Sequence, residues 1–255
     1  MTRLLRRVAR AVLGVERHAV YYLPWLVQPG LECVLILSNL EARFKSGYNT
    51  GPFAVRVTQY DADGRQRAER RVTLERSTDA VEVPLPASGA GRGFVTVDAE
   101  RIQSDLYVTL SDGDAYAATH GRQEFLEHYP MRSRAVLAVV GRLLAWFGRT
   151  VPAFVRHQYA YVGAESRSDL LLLNLSNVTN RVRVVALGPA GGAGSLVRIP
   201  PMGSYLLNVS SLISPPPTGT RVVPLRLEGN AWFNLYVVGA VDADRAAPLS
   251  LMHVK

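Results

Sequence analysis

The side chains best suited to ligand chemistry in this 255-residue chain are its five histidines, His18, His120, His128, His157 and His253. Four of them recur in pairs. An Arg-His step, Arg17-His18 and then Arg156-His157, stands near the start of two long segments, and His120 and His253 stand near their ends. Neutral imidazole is the commonest protein ligand for metals. The candidate ligand-binding arrangement is therefore one His18–His120 site and one His157–His253 site. Two histidines alone do not close a zinc site, and no further ligand stands at a fixed spacing. The alternative is histidines hydrogen-bonded at strand ends, and no metal or cofactor is expected.

Other reactive patterns are sparse. Asp112 with Asp114, and Asp242 with Asp244, form two close acidic pairs. Paired carboxylates can act as acid and base, or bind calcium with further oxygens. Ser111-Asp112-Gly113-Asp114 also reads as a plain turn, because Asp and Gly are turn formers. The cluster Gly188-Pro189-Ala190-Gly191-Gly192-Ala193-Gly194 lacks the following helix and the Lys-Ser/Thr of a phosphate loop, so it reads as a hairpin. Gly-x-Ser-x-Gly and His-Glu-x-x-His do not occur. The expectation is a protein that is not an enzyme. Tyr21, Tyr22, Trp25, Tyr159 and Tyr161 gather at the starts of the two segments. They read either as strand core or as a platform for a sugar.

Charge is the second chemical signal. The chain carries 29 basic and 21 acidic residues, net +8. Residues 1–17 hold net +4, and residues 132–156 hold net +5 with no acid, so the remainder sums to −1. That distribution excludes a nucleic-acid binder that is basic over a whole face, and no nucleic-acid partner is expected. Each basic segment reads as an amphipathic helix. On a wheel, Arg134, Arg142 and Arg149 share a sector of about 80°. Val136, Leu137, Val139, Val140, Leu143, Leu144, Trp146 and Phe147 lie opposite, and the small residues Ala138, Gly141, Ala145 and Gly148 share the arginine side. Arg3, Arg6, Arg7 and Arg10 likewise cluster against Leu4, Leu5, Val8 and Val12. Gly14 and Gly148 are placed as helix stops, and Pro152 blocks continuation of the second helix.

A basic polar face with a bulky Trp- and Phe-containing apolar face is the pattern of a helix lying in a membrane surface. The same apolar face could instead rest on the protein's own core, on the other helix, or in a partner's groove. The expected partners are a membrane surface or membrane protein complex. No run reaches the length of a transmembrane helix, and arginines interrupt any secretory signal. The expected location is cytoplasmic, peripheral on the inner face of the membrane.

The elements that must position these residues form a faint repeat. Leu35-Ile36-Leu37-Ser38-Asn39 matches Leu172-Leu173-Asn174-Leu175-Ser176-Asn177, and Val55-Arg56-Val57 matches Val182-Arg183-Val184. Val72-Thr73-Leu74 matches Leu196-Val197-Arg198-Ile199, and Leu106-Tyr107-Val108 matches Leu235-Tyr236-Val237. The offset falls between the first two matches because the first copy carries an insert at Ala42–Pro52, read as a long hairpin loop. Short apolar, β-branched runs alternate with turn signals such as Asp61-Ala62-Asp63-Gly64 in both copies. Cys33, the one cysteine, sits in the apolar run Cys33-Val34-Leu35-Ile36-Leu37 and excludes an intrachain disulfide.

Copy two resembles the sensory rhodopsin transducer family over Leu171–Leu212. That stretch holds an Asn-containing strand, a hairpin, Val197-Arg198-Ile199-Pro200-Pro201, the strand Tyr205–Val209 and Ser210-Ser211-Leu212. Trp232–Val238 followed by Asp242-Ala243-Asp244-Arg245 extends the likeness to about ninety residues. The resemblance implies a jelly-roll-like sandwich, oligomers built from such units, and binding of a partner protein or small ligand without catalysis.

The expected fold is mainly β: two tandem antiparallel β-sandwich (jelly-roll-like) domains related by internal duplication, each preceded by an amphipathic helix. Residues 1–14 form the first helix, 15–121 sandwich one, 122–150 a linker with the second helix, and 151–255 sandwich two. The expected function is a non-enzymatic scaffold or accessory subunit, itself oligomeric or part of a larger assembly. The alternative is a small-ligand or carbohydrate-binding module.

Overall fold

Alternation of apolar and polar residues with period two drives most of the chain into strands. In Asn180–Ala186 the buried residues Val182, Val184 and Ala186 alternate with half-buried Arg181, Arg183 and Val185. A computed structural model describes residues 11–253, apart from 29, 41–43, 45–51, 77–78, 86–90, 99–101, 103, 105, 114–115, 164–166, 188–193, 214–218 and 241–249. The chain is mainly β, and its sheets are antiparallel.

The first half holds β1 (Glu16–Val27), β2 (Glu32–Ser38), β3 (Phe53–Asp61), β4 (Gln66–Leu74), β5 (Ala80–Pro84), β6 (Gly91–Asp98), β7 (Tyr107–Ser111), β8 (Tyr116–His120) and β9 (Arg122–His128). The helix α1 (Met131–Trp146) follows. The second half holds β10 (Phe154–Val162), β11 (Arg167–Asn174), β12 (Asn180–Ala186), β13 (Gly194–Ile199), β14 (Ser204–Asn208), β15 (Arg221–Gly229), β16 (Phe233–Ala240) and β17 (Ser250–His253).

In the first half one sheet runs β4-β3-β6-β1-β9 and the other β5-β2-β7-β8. In the second half the order β13-β12-β15-β10 continues through β11 to β16 and β17, with β14 on the other side of β11. Strand by strand, β4-β3-β6-β1 and β13-β12-β15-β10 are the same order, as are β5-β2-β7-β8 and β14-β11-β16-β17. The matched sequence runs therefore lie on strands that hold corresponding places.

The two halves share apolar packing. Leu170, Leu172, Leu235 and Val237 face a core with Val182, Val184, Leu225 and Leu227. Their sequence neighbours Leu171, Leu173, Tyr236 and Val238 face the other way, into the core of Leu23, Leu35, Phe94 and Val97. β11 and β16 are thus buried on both faces, and an uninterrupted leucine run is what such a strand requires. The rings of Tyr22 and Tyr236 meet edge-on at 6.2 Å across this contact, and Asn234 hydrogen-bonds the Tyr22 hydroxyl.

Residues 122–128, expected within the linker, instead form β9, which pairs with the first seven residues of β1. β9 also reaches the second half: the Glu127 amide donates to the Leu175 carbonyl at 2.9 Å. The Ala42–Pro52 insert lies outside the described residues except Phe44 and Pro52, and residues 1–10 of the N-terminal helix lie outside them entirely. Residues 11–13 are helical and end as expected, with Gly14 at φ +61° and its amide bonded to the Ala11 carbonyl.

Candidate functional site

The helix α1 is held through Ser133, Leu137 and Gly141. Its start follows the buried Tyr129, whose amide donates to Asn177 Oδ1 at 2.8 Å and whose carbonyl accepts from Asn177 Nδ2. Leu137 packs on the cluster of Tyr129, Val178 and Ala231, together with Leu13 and Val15. Ser133 Oγ donates to the Leu13 carbonyl at 2.6 Å. The end of the N-terminal basic segment therefore sits beside the first turn of α1. Gly141 is buried, and a Cβ there would stand 2.9 Å from Nη1 of Arg181 on β12. The helix stops in a Schellman arrangement: Gly148 at φ +64°, its amide on the Ala145 carbonyl and the Arg149 amide on the Leu144 carbonyl.

Packing through Ser133, Leu137 and Gly141 turns the bulky residues outward. Val136, Val139, Val140, Leu143, Trp146 and Phe147 are 39–87% exposed. The described residues leave that face exposed. Arg134, Arg142 and Arg149 are also exposed, as is Arg132. Val12 is exposed, while Arg3, Leu4, Leu5, Arg6, Arg7, Val8 and Arg10 lie outside the described residues.

Between α1 and the β12–β13 edge opens a cleft of about 740 Å³, bordered by Arg134 and Arg142 of the helix and Arg181 and Arg198 of the strands. Asn177 and Thr179 also line it, and no carboxylate does. Arg181 stands directly across the strand pair from Arg198. Its main chain is fixed, the amide donating to Asn230 Oδ1 and the carbonyl accepting from Thr150 Oγ1. Burial, and then the positive fields of Arg198 and Arg142, lower the Arg181 pKa from the usual arginine range. The sequence reading missed Arg181 and Arg198 as site residues, because the signal lies in strand register and not in local charge.

The paired histidines lie on different strands. His18 is exposed on β1, and His120 is half-buried on β8 in the opposite sheet, its Nδ1 3.2 Å from the Gly121 carbonyl. His157 is exposed on β10 opposite Arg226, and His253 pairs with Tyr236 on β17. Of the four, His18, His120 and His157 have described side chains, and that of His253 lies outside the described residues. Among the described residues no three His, Cys, Asp or Glu side chains gather as a metal site.

The arginines preceding the two histidines have packing partners. Arg17 bonds the buried Glu127 at 3.2 Å and lies 4.5 Å over the Phe125 ring. Arg156 lies 5.2 Å over Trp232 and donates to the Phe233 carbonyl. Asp114, Asp242 and Asp244 lie outside the described residues. Tyr22 and Trp25 are buried, which removes them from any surface platform, whereas Tyr159 and Tyr161 are exposed. Cys33 is buried, and that burial pushes its thiol pKa up to about 12.

No protein-family profile matches the chain, and no curated protein matches it in sequence. Among the described residues no helix is long and apolar enough to cross a membrane.

Proposed function

We propose that the protein is a non-enzymatic scaffold that docks on an anionic membrane surface through α1 and the adjoining N-terminal basic segment. The exposed Val139, Leu143, Trp146 and Phe147 face of a helix held by its opposite side carries this reading. Charge complementarity selects the occupant: residues 132–156 hold five arginines and no acid, and each basic residue near an anionic leaflet contributes about 1 kcal/mol. Trp and Phe suit the boundary between headgroups and acyl chains. The N-terminal segment ends beside α1 and would add a second contact from the same chain. The corresponding strand orders support an origin of the two halves by duplication. The resemblance to the sensory rhodopsin transducer family is in keeping with a binding role in an oligomeric assembly.

Flotation with vesicles tests the reading. Wild-type protein should float with vesicles containing anionic phosphatidylglycerol and much less with phosphatidylcholine alone. Leu143→Ser with Trp146→Ser should abolish flotation and leave thermal stability unchanged, because both residues are exposed. Equal flotation of wild type and double variant, or none with either lipid, defeats the membrane reading. Loss of stability in the double variant would place that face on protein.

A further inference from the structure

We propose that the cleft between α1 and the β12–β13 edge is a binding site for a multiply charged phosphate group, held by Arg181 and Arg198 from the sheet and by Arg134 and Arg142 from the helix. Four guanidinium groups border one opening, and none of the four has an acidic partner among the described residues. Like charges directly opposite on paired strands destabilise a sheet, and here Arg181 faces Arg198. A helix bearing two further arginines lies on top. Such an arrangement is relieved by a ligand that supplies the missing negative charge.

Phosphate chemistry fits better than a single carboxylate. Guanidinium presents a planar fork that matches phosphate oxygens in pairs, and each charge-assisted bond is stronger than a neutral one. A dianion or larger polyphosphate can engage several forks at once. Asn177 and Thr179 offer neutral polar groups at the same wall. The opening is large enough for a phosphate with a small substituent: about 740 Å³ lies within the range of ligand pockets. The absence of a side chain at Gly141 leaves room for Arg181 under the helix, where a Cβ would meet its Nη1.

The site lies beside the apolar stripe but does not depend on it, because Leu143 and Trp146 border no part of the cleft. The phosphate can be carried by a soluble molecule or by a lipid headgroup, and the two sources are separable. The probe for the first is inorganic pyrophosphate. It should raise the melting temperature beyond a sodium chloride control of matched ionic strength. The double variant Arg181→Gln/Arg198→Gln should weaken pyrophosphate binding at least tenfold by calorimetry, and Arg142→Gln, an exposed helix position, should weaken it less. Leu143→Ser/Trp146→Ser should bind pyrophosphate as wild type does, so failure of the membrane reading leaves this site standing.

For the second source, vesicles with phosphatidic acid are compared with phosphatidylglycerol vesicles of equal surface charge. A preference for phosphatidic acid that the arginine double variant loses assigns the phosphate to a headgroup. Pyrophosphate binding without that preference assigns it to a soluble ligand. No stabilisation beyond the salt control, or wild-type affinity in both arginine variants, overturns the site.

Discussion

The β3–β4 and β12–β13 edges hold the same place in the two strand orders, and each sets arginine against arginine. Arg56 faces Arg71 in the first, and Arg181 faces Arg198 in the second. The surroundings then diverge. Arg56 bonds Asp98 of the next strand at 2.6 Å, and Arg67 bonds Asp61 at 2.6 Å. Arg181 and Arg198 meet instead the arginines of α1 across an open cleft. Repulsion that is neutralised at one edge is retained at the other, and it is retained where a ligand has space to enter. An arginine-rich strand is therefore uninformative until its neighbours are known. The pairing of the first edge is what makes the second one stand out.

The largest expected effect tests whether the two edges differ in charge alone. Leu74 on β4 and Ile199 on β13 are both fully buried. Leu74→Ala and Ile199→Ala should each lose about 2–5 kcal/mol of stability in urea unfolding. Matched losses confine the contrast to the surface. A much smaller loss at Ile199 would mean that the second edge is loosely packed, and the comparison would then be one of packing.

Next in size is the clamp that the first edge owns. Asp61 accepts from the Asp63 and Arg65 amides at 3.0 and 2.8 Å as well as from Arg67 Nε. Asp61→Ala removes the carboxylate that accepts all three bonds in the β3–β4 turn and should cost about 1–3 kcal/mol. Hydrogen exchange should show that loss concentrated in β3 and β4. An unchanged unfolding midpoint would break the claim that carboxylates hold the first edge together.

These contrasts were unevenly visible in the sequence. Alternation in Val182-Arg183-Val184 and in Val55-Arg56-Val57 marks strands with one dry face, and Gly148 marks the end of α1 by its left-handed backbone. The leucine run of β11 announces burial on both faces, but which two cores it divides depends on tertiary packing. The wheel of α1 separates arginines and small residues from the bulky face. It does not say which side docks, and the side that does lies at the border of the two, where Ser133 and Gly141 allow close approach and Leu137 packs inward. The Arg181–Arg198 pairing was illegible for a different reason. Those residues are 17 positions apart and become neighbours only once the register of β12 and β13 is known. Counting charge along the chain averages them with acids that lie elsewhere in space.

The smallest effect is the most diagnostic because its sign should differ between the edges. Removing Arg56 deletes a partner of Asp98, so Arg56→Gln should lower the melting temperature slightly at low salt. Removing Arg181 deletes a guanidinium that burial and two like charges disfavour. Arg181→Gln should therefore raise stability, by less than about 1 kcal/mol because the cleft is open to solvent and its fields are screened. Both shifts should shrink as sodium chloride increases, since both are electrostatic. Melting curves of the two variants at low and high salt supply the comparison, with pyrophosphate omitted throughout. If Arg181→Gln destabilises as Arg56→Gln does, the second edge holds a neutralised arginine after all. A gain that persists at high salt would point to packing and not to charge.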